Sequence, residues 1–389
     1  MTSTPAQLRV LHLASWYPSQ VHGTLGNFVE RHIQSICTMN GGEVWFATAV
    51  PSDQVVPANT VRDCGNYTER IFYFREKKPV VWQVTRTLLR AARESQPFDL
   101  IHLHVSYPAG RAARILSKKW KVPFILTEHW TAYHKDQSNA LPFWRKRSMQ
   151  VTGNAAHFVC PVTSNLGESM TEFGINRPSI PISNVVNTEL FYPRDTPSNR
   201  SGFHALHISS LRDDQKNIRG MLRALQFACA QCDNLKVSII GDGDPTPHQA
   251  YAKELGLEHR VEIGGEIDLS EVANRMRNSD ALLLFSRYEN FPCVIPEAWA
   301  SGIPVLSTDV GGIKEHLTPE RGALVQSEDE GAFASTLVSW ANGAVTFDDQ
   351  ALRQYAVSHF GVEAIAKGYD RIYLKSLPDF PENHKPLDE

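Results

Sequence analysis

The chain has 389 residues, 39 Lys/Arg against 42 Asp/Glu, and a formal net charge of −3. That length exceeds one ordinary hydrophobic core, so two domains of roughly 150–200 residues are expected. Its longest apolar runs fall far short of the ~20 residues of a membrane span, and its six scattered cysteines exclude a disulfide-scaffold protein.

Residues 1–7 carry neither a basic nor an apolar leader segment, which together with the cysteine usage predicts a cytoplasmic protein. Residues 8–14 read as a first buried strand. Gly23-Thr24-Leu25-Gly26-Asn27 follows it and opens a helical pattern marked by Phe28, His32, Ile33 and Ile36. Further strands are expected at 43–48, 99–104, 123–127 and 157–161, with helical segments near 80–95, 108–120 and 142–153. The stretch 51–70 is polar without a clear period and reads as loop. Strands alternating with helices imply parallel βαβ units.

A linker is expected over 184–202, where Asn184, Asn187, Pro193, Asp195, Pro197, Ser198 and Asn199 accumulate. The same rhythm then restarts, with strands at 205–209, 236–240, 260–263, 281–285 and 303–307. The fold class is therefore α/β, with two doubly wound domains, 1–183 and 203–361, facing across a cleft at their strand carboxyl ends. The amphipathic segment 362–376 reads as a helix packing back on the first domain, and 377–389 as a disordered tail.

Charge is unevenly spread. Residues 1–180 carry 20 Lys/Arg against 12 Asp/Glu, and residues 181–389 carry 19 against 30. The positive half concentrates in Arg111, Arg114, Lys118, Lys119 and Lys121, then in Arg145, Lys146 and Arg147. Such a run is either a solvated helical face or a patch for anionic headgroups, with Trp120, Phe143 and Trp144 as interfacial anchors. No nucleic-acid-binding module accompanies it, so no nucleic-acid partner is expected.

The densest chemistry lies in residues 286–302. Glu289 falls in the loop beyond a strand, and Glu297 falls in the first turn of a short helix that tolerates Pro296. Two carboxylates beside backbone donors suit a polyhydroxylated, phosphate-bearing ligand. On the loop after 205–209, Arg212 and Lys216 are four apart at a helix start, where both can reach one diphosphate. Gly241-Asp242-Gly243 is a tight turn that permits a close backbone approach. It lacks the glycine spacing of a dinucleotide fingerprint. In the first half, Gly23, Gly26 and Asn27 form an anion- or sugar-facing loop, His129 ends a strand, and His104 with Tyr107 holds the matching place one strand earlier.

The run Ser286-x-x-Glu289-x-Phe291-Pro292-x-x-x-x-Glu297-Ala298-x-Ala300-x-Gly302-x-Pro304-Val305, with Gly311-Gly312 and Glu315, resembles family 4 retaining glycosyltransferases of the GT-B fold. The resemblance extends to Arg212, Lys216, Gly241 and Gly243, to Asn184, Asn187, Phe191 and Pro193, and to His129. It departs at Trp16-Tyr17-Pro18, where an adjacent glycine pair is replaced by Gly23 and Gly26, and at Asn290, where glycine is usual. The resemblance implies an acceptor-binding first domain, a nucleotide-sugar-binding second domain, and a UDP- or GDP-sugar donor. The donor site would comprise Gly26, Arg212, Lys216, Gly241, Gly243, Glu266, Glu289, Asn290, Phe291, Pro292, Cys293 and Glu297. Arg212 and Lys216 would neutralise the diphosphate without a metal ion or other cofactor. Glu297 would bind the ribose, Glu289 the transferred sugar, and the turn at Glu266 the base. Gly23, Asn27, His104, Tyr107 and His129 would lie on the acceptor side.

The implied product is a hexosyl or N-acetylhexosaminyl glycan, built on a lipid-linked or surface-polysaccharide precursor at the cytoplasmic face of the inner membrane. Two other classes fit the same layout. A nucleotide-sugar epimerase would convert its substrate with no acceptor present. A catalytically silent nucleotide-sugar-binding partner would bind and turn nothing over.

Overall fold

The computed structural model describes residues 8–77, 79–194 and 202–377. Asp195, Pro197, Ser198 and Asn199 of the expected linker lie outside these residues, as do residues 1–7 and all but Leu377 of the expected tail. The chain divides into two compact units, one of Met1–Ser183 with Glu363–Glu389 and one of Asn184–Val362.

The first unit runs β1 (Arg9–Ala14), α1 (Asn27–Ile36), β2 (Gly41–Val50), β3 (Thr60–Asp63), β4 (Tyr67–Arg75), α2 (Val80–Ala91), β5 (Leu100–His104), α3 (Gly110–Trp120), β6 (Phe124–Glu128), α4 (Lys135–Ser138), α5 (Phe143–Ala155), β7 (Val159–Pro161) and α6 (Ser164–Glu172). Its sheet has the order β3-β4-β2-β1-β5-β6-β7, parallel except for the antiparallel edge strand β3. The central strands β5 and β6 are buried along their whole length, as a sheet covered on both faces requires, and their polar members His102, His104, Thr127 and Glu128 are buried with the rest. α2, α3 and α5 cover one face through Val84, Leu88, Ala112, Leu116 and Met149. α1 packs on the other through Val29 and Ile33.

Two expectations fail here for physical reasons. The polar stretch 51–70 contains β3 and the start of β4. β4 does alternate, with Tyr67, Glu69, Ile71 and Tyr73 buried, but one inward position is a carboxylate. Glu69 is tolerated because its Oε2 accepts from Arg62 Nη2 at 2.6 Å and from the Tyr17 hydroxyl at 3.0 Å. Trp120 is no interfacial anchor either. It follows Ala112 and Leu116 at helical spacing onto the core, and meets Phe98 and Trp45 at ring-centroid distances of 5.8 and 6.5 Å.

The second unit runs β8 (Phe203–Ser209), α7 (Asp213–Lys216), α8 (Ile218–Gln231), β9 (Leu235–Gly241), α9 (Thr246–Glu254), β10 (Val261–Gly264), α10 (Leu269–Arg277), β11 (Ala281–Leu284), α11 (Val294–Ala300), β12 (Val305–Thr308), β13 (Gly322–Val325), α12 (Glu330–Ala341) and α13 (Asp349–Phe360). Its six strands are all parallel in the order β10-β9-β8-β11-β12-β13. The strand order reverses direction between β8 and β11, and that reversal leaves a crevice at their carboxyl ends.

The last helix, α14 (Val362–Ser376), completes the first unit. The hydroxyl of Tyr373 lies 2.6 Å from His102 Nδ1, and that of Tyr369 lies 2.9 Å from Thr127 Oγ1. Asn40 Nδ2 donates to Asp370 Oδ1 at 3.2 Å. All six cysteines are free thiols.

Candidate active site

Both loops that leave the β8/β11 reversal carry charged groups, and these meet. Lys216, at the end of α7, donates from Nζ to Glu289 Oε1 at 2.5 Å. The same oxygen accepts from Ser286 Oγ at 2.8 Å. The two charged side chains are only 13% and 7% exposed. Ions this far out of water are tolerated because each neutralises the other and further hydrogen bonds satisfy the carboxylate. A ligand phosphate entering here would find an ammonium ion already desolvated.

Arg212 is placed differently. It lies outside the helical turn, with φ −73° and ψ 110°, and its side chain is 62% exposed, with Nη2 on Asp214 Oδ2 at 2.7 Å. Lys216 is held by Glu289 and Arg212 by Asp214, so each of the two cations expected on one diphosphate has a carboxylate of its own to leave. Arg212 still borders the site. The Tyr288 hydroxyl, next in sequence to Glu289, is pushed up by burial and by Asp214, and pulled down by Arg212.

Behind the Lys216–Glu289 pair sits a clamp that no sequence motif announces. Asn217 is fully buried in a left-handed conformation, φ 51°, and caps α8 by accepting from Gly220 N–H at 3.2 Å. Arg287 Nη2 donates to Asn217 Oδ1 at 2.6 Å, and its Nη1 donates to the Asp213 carbonyl. Glu328, on the loop after β13, accepts from Arg287 Nε at 2.6 Å and from Asn217 Nδ2 at 3.2 Å. One guanidinium thus ties together three loops, and it lies two residues from Glu289 while its partner Asn217 lies one residue from Lys216. Arg287→Ala is expected to lower donor kcat/KM about 10–100-fold through misplacement of Lys216. Arg287→Lys should recover part of the loss, and steady-state kinetics beside melting temperature would check this. A drop in melting temperature at unchanged kcat/KM would show Arg287 to be merely structural.

The remaining donor-side residues divide into surface and scaffold. Glu297 lies in the first turn of α11 and is 3% exposed. Asn290 is also buried, and its carbonyl accepts from Gly312 N–H at 2.9 Å. The Phe291 ring belongs to the core and packs against Trp299, His316 and Phe360, so the donor contact expected of this residue falls to its backbone N–H. Its carbonyl accepts from Asn184 Nδ2 at 2.7 Å. Pro292 and Cys293 are half-buried, and Glu266 is exposed beyond β10. The close approach that Gly241 and Gly243 permit is to their own chain. A Cβ at Gly241 would lie 1.8 Å from the Ser209 carbonyl oxygen, and one at Gly243 would lie 2.6 Å from that of Ser210. These glycines press the β9 loop onto the loop that carries Lys216.

In the first unit the reversal lies between β1 and β5. Gly26 has φ +74°, and a Cβ there would fall 2.5 Å from the Trp16 carbonyl carbon, so this position admits only glycine. Gly23 stands in open space. Asn27 is the first residue of α1. His129 packs on Phe28 and His32 at centroid distances of 4.5 and 5.0 Å. Glu128, overlooked in sequence, positions it. Oε1 accepts from the N–H groups of His129 and Trp130, and Oε2 accepts from Ser106 N–H and the Tyr133 hydroxyl, at 2.8–3.1 Å. Burial pushes the Glu128 carboxyl up, against those four bonds. Tyr107 packs beside Trp144, with Arg145 over its ring.

His104 does not face an acceptor. It is fully buried with His12 and His102, since the central strand β5 is covered on both faces. The three side chains could offer nitrogens within 4.8 Å of one another. Their hydrogen bonds are largely spent within the core. His12 Nδ1 meets His104 Nε2 at 3.1 Å, while both His102 nitrogens meet hydroxyls at 2.6 Å.

Sequence profiles of two glycosyltransferase groups match the chain, Glycosyltransferase Family 4 over residues 29–190 and Glycosyl transferases group 1 over residues 202–342. The chain belongs to glycosyltransferase family 4. A D-inositol 3-phosphate glycosyltransferase of Paenarthrobacter aurescens is 27% identical over 314 residues, 73% of each chain. Among solved structures, the transferase is similar to sucrose-phosphate synthase of Thermosynechococcus elongatus, with a TM-score of 0.75 and 18% identity over 94% of this chain and 98% of that one. It is also similar to HepE of Anabaena in complex with UDP-glucose, with a TM-score of 0.69 and 18% identity over 95% and 100%. Both likenesses establish the GT-B fold, with two doubly wound α/β units.

Proposed function

We propose that this glycosyltransferase moves a hexose or N-acetylhexosamine, with retention, from a UDP- or GDP-sugar to a hydroxyl of a lipid-linked or surface-polysaccharide precursor. The observation that carries the reading is the desolvated Lys216–Glu289 pair at the β8/β11 reversal. UDP is supported as the nucleotide by the UDP-glucose held in HepE.

In the proposed step the acceptor oxygen bonds to the anomeric carbon as that carbon's bond to the diphosphate oxygen breaks on the same face. The acceptor proton passes to the departing phosphate. Lys216 exchanges Glu289 for that phosphate and takes up its growing charge, with Arg212 leaving Asp214 to assist. No metal ion or other cofactor enters this reading. Glu289, freed of its ammonium partner, orients the sugar hydroxyls as a positioning group. Glu297 accepts from the ribose diol, the turn at Glu266 borders the base, and His129 meets the acceptor or the sugar. Among the described residues no helix is long and apolar enough to cross a membrane.

A thermal-shift screen of nucleotide sugars tests the reading. The right donor at about 100 times its Kd should add about 2.7 kcal/mol to stability. Glu297→Ala should lose that shift, while Glu289→Ala should keep most of it and lose turnover. Absence of any shift with UDP- or GDP-sugars would overturn the donor assignment, and equal loss of the shift in both variants would overturn the division of roles.

A further inference from the structure

α3 packs between α2 and α5 on one face of the first unit. Together these helices carry nine Lys/Arg and not one Asp or Glu. Among the described residues none of the nine is paired with a carboxylate. Some rest on aromatic rings instead: the Arg111 guanidinium stands 3.9 Å above Trp82, and that of Arg145 stands 4.9 Å above Tyr107. Burial, and to a lesser degree the neighbouring Arg111, push the Arg114 guanidinium down.

The same face exposes large apolar side chains: Phe143 at 81%, Trp82 at 55%, Trp144 at 53% and Ile115 at 37%. Phe143 and Trp144 open α5, immediately before Arg145, Lys146 and Arg147. Between α2 and α3 a groove of about 640 Å³ has Trp82, Leu89 and Ile115 in its lining, with Arg86, Arg90 and Arg111 beside them. Cations alone would suit any polyanion. Aromatic side chains standing out of the same surface suit a partner with both anionic heads and an apolar interior.

We propose that the α2–α3–α5 face is a docking surface for an anionic phospholipid bilayer. Phe143 and Trp144 enter the interface, the basic residues of α3 and α5 lie on headgroup phosphates, and the groove takes one lipid whose phosphate meets Arg86, Arg90 and Arg111. This deepens the proposed acceptor class and rests on it for its purpose, because a surface-bound enzyme meets a lipid-linked acceptor by lateral diffusion.

Flotation with vesicles tests it without any turnover. Full-length protein should bind phosphatidylcholine vesicles containing phosphatidylglycerol far more tightly than phosphatidylcholine alone, and less tightly as salt rises. R145Q/K146Q/R147Q should weaken that binding on the order of 100-fold, at about fivefold per cation. F143A/W144A should weaken it about tenfold. K236Q/K253Q, on the second unit, should leave it unchanged. Equal binding to both vesicle types would overturn the proposal, as would full binding by the triple variant. Loss of binding to soluble heparin in the triple variant, with F143A/W144A unaltered on vesicles, would mark a polyanion site and overturn it too. Each variant should keep its nucleotide-sugar thermal shift, so failure of the bilayer proposal and failure of the donor reading give different results.

Discussion

Lys216→Ala should lower kcat/KM for the nucleotide-sugar donor by about 10²–10³-fold, the scale on which a preorganised charge acts on a leaving group. Lys216 donates to Glu289 in a nearly dry setting, so the variant loses more than a phosphate contact. It leaves a buried carboxylate with only Ser286 and a long Gln215 contact of 3.5 Å. Stability should fall by about 1–3 kcal/mol. The double variant K216A/E289A should recover much of that stability and none of the activity. Urea denaturation beside donor kinetics makes the measurement. Arg212→Ala should cost less than Lys216→Ala, because Arg212 is exposed and reaches phosphate only by leaving Asp214. An equal or larger loss at Arg212 would reverse the ranking.

Acid should destabilise the first unit steeply, beginning near pH 6.5. Burial holds the His12 imidazole down to about 3, and it holds His102 and His104 well below the ordinary range. These three stay neutral in the folded state while the unfolded chain binds protons at the usual pH. Their contribution is therefore complete above pH 6.5 and is lost as the pH falls toward their folded values. Three protons taken up on unfolding give a limiting slope of about 4 kcal/mol per pH unit below pH 6.5, to which His32 and His157, also held down by burial, add. Glu128 works in the opposite sense. Its raised carboxyl keeps a proton that the unfolded chain releases above about pH 4.5, so it favours the folded state in acid and offsets up to one proton of the slope. In the second unit His207 and His316, each held down to about 4, add two more groups of the first kind. Denaturant midpoints between pH 7.5 and 5.5 report the proton count. A slope of less than one proton would mean that the histidine cluster charges while still folded.

How much of this could be read in advance depended on where the information lies along the chain. Buried parallel strands announce themselves where a short run is apolar throughout, as in β11 and in the first three residues of β6. The Glu289 and Glu297 loop was legible for a similar reason, as strand, loop and helix follow within a few residues. β4 is hidden because its inward alternation passes through Glu69, whose partners are Tyr17, 52 residues away, and Arg62 on the adjoining edge strand. The Arg287 clamp was invisible because Asn217 is 70 residues from Arg287 and 111 from Glu328. His104 was misread for want of the same knowledge. A histidine ending a strand looks alike whether it faces a ligand or, as here, another histidine 92 residues away. Trp120 is a matter of helix phase, since it stands four residues after Leu116 and eight after Ala112 on the buried side of α3.

The closing helix has a consequence for how the protein is made. Domains tend to fold as they leave the ribosome, the first-made part leading. In this chain the order is inverted. The second unit has all of its strands once β13 has been synthesised, whereas the first unit must wait, with the His102 and Thr127 hydrogen bonds unmade, until Tyr369 and Tyr373 arrive. A nascent chain halted before α14 would expose the open side of that core throughout synthesis of the second unit. The part translated first is thus the last to be finished.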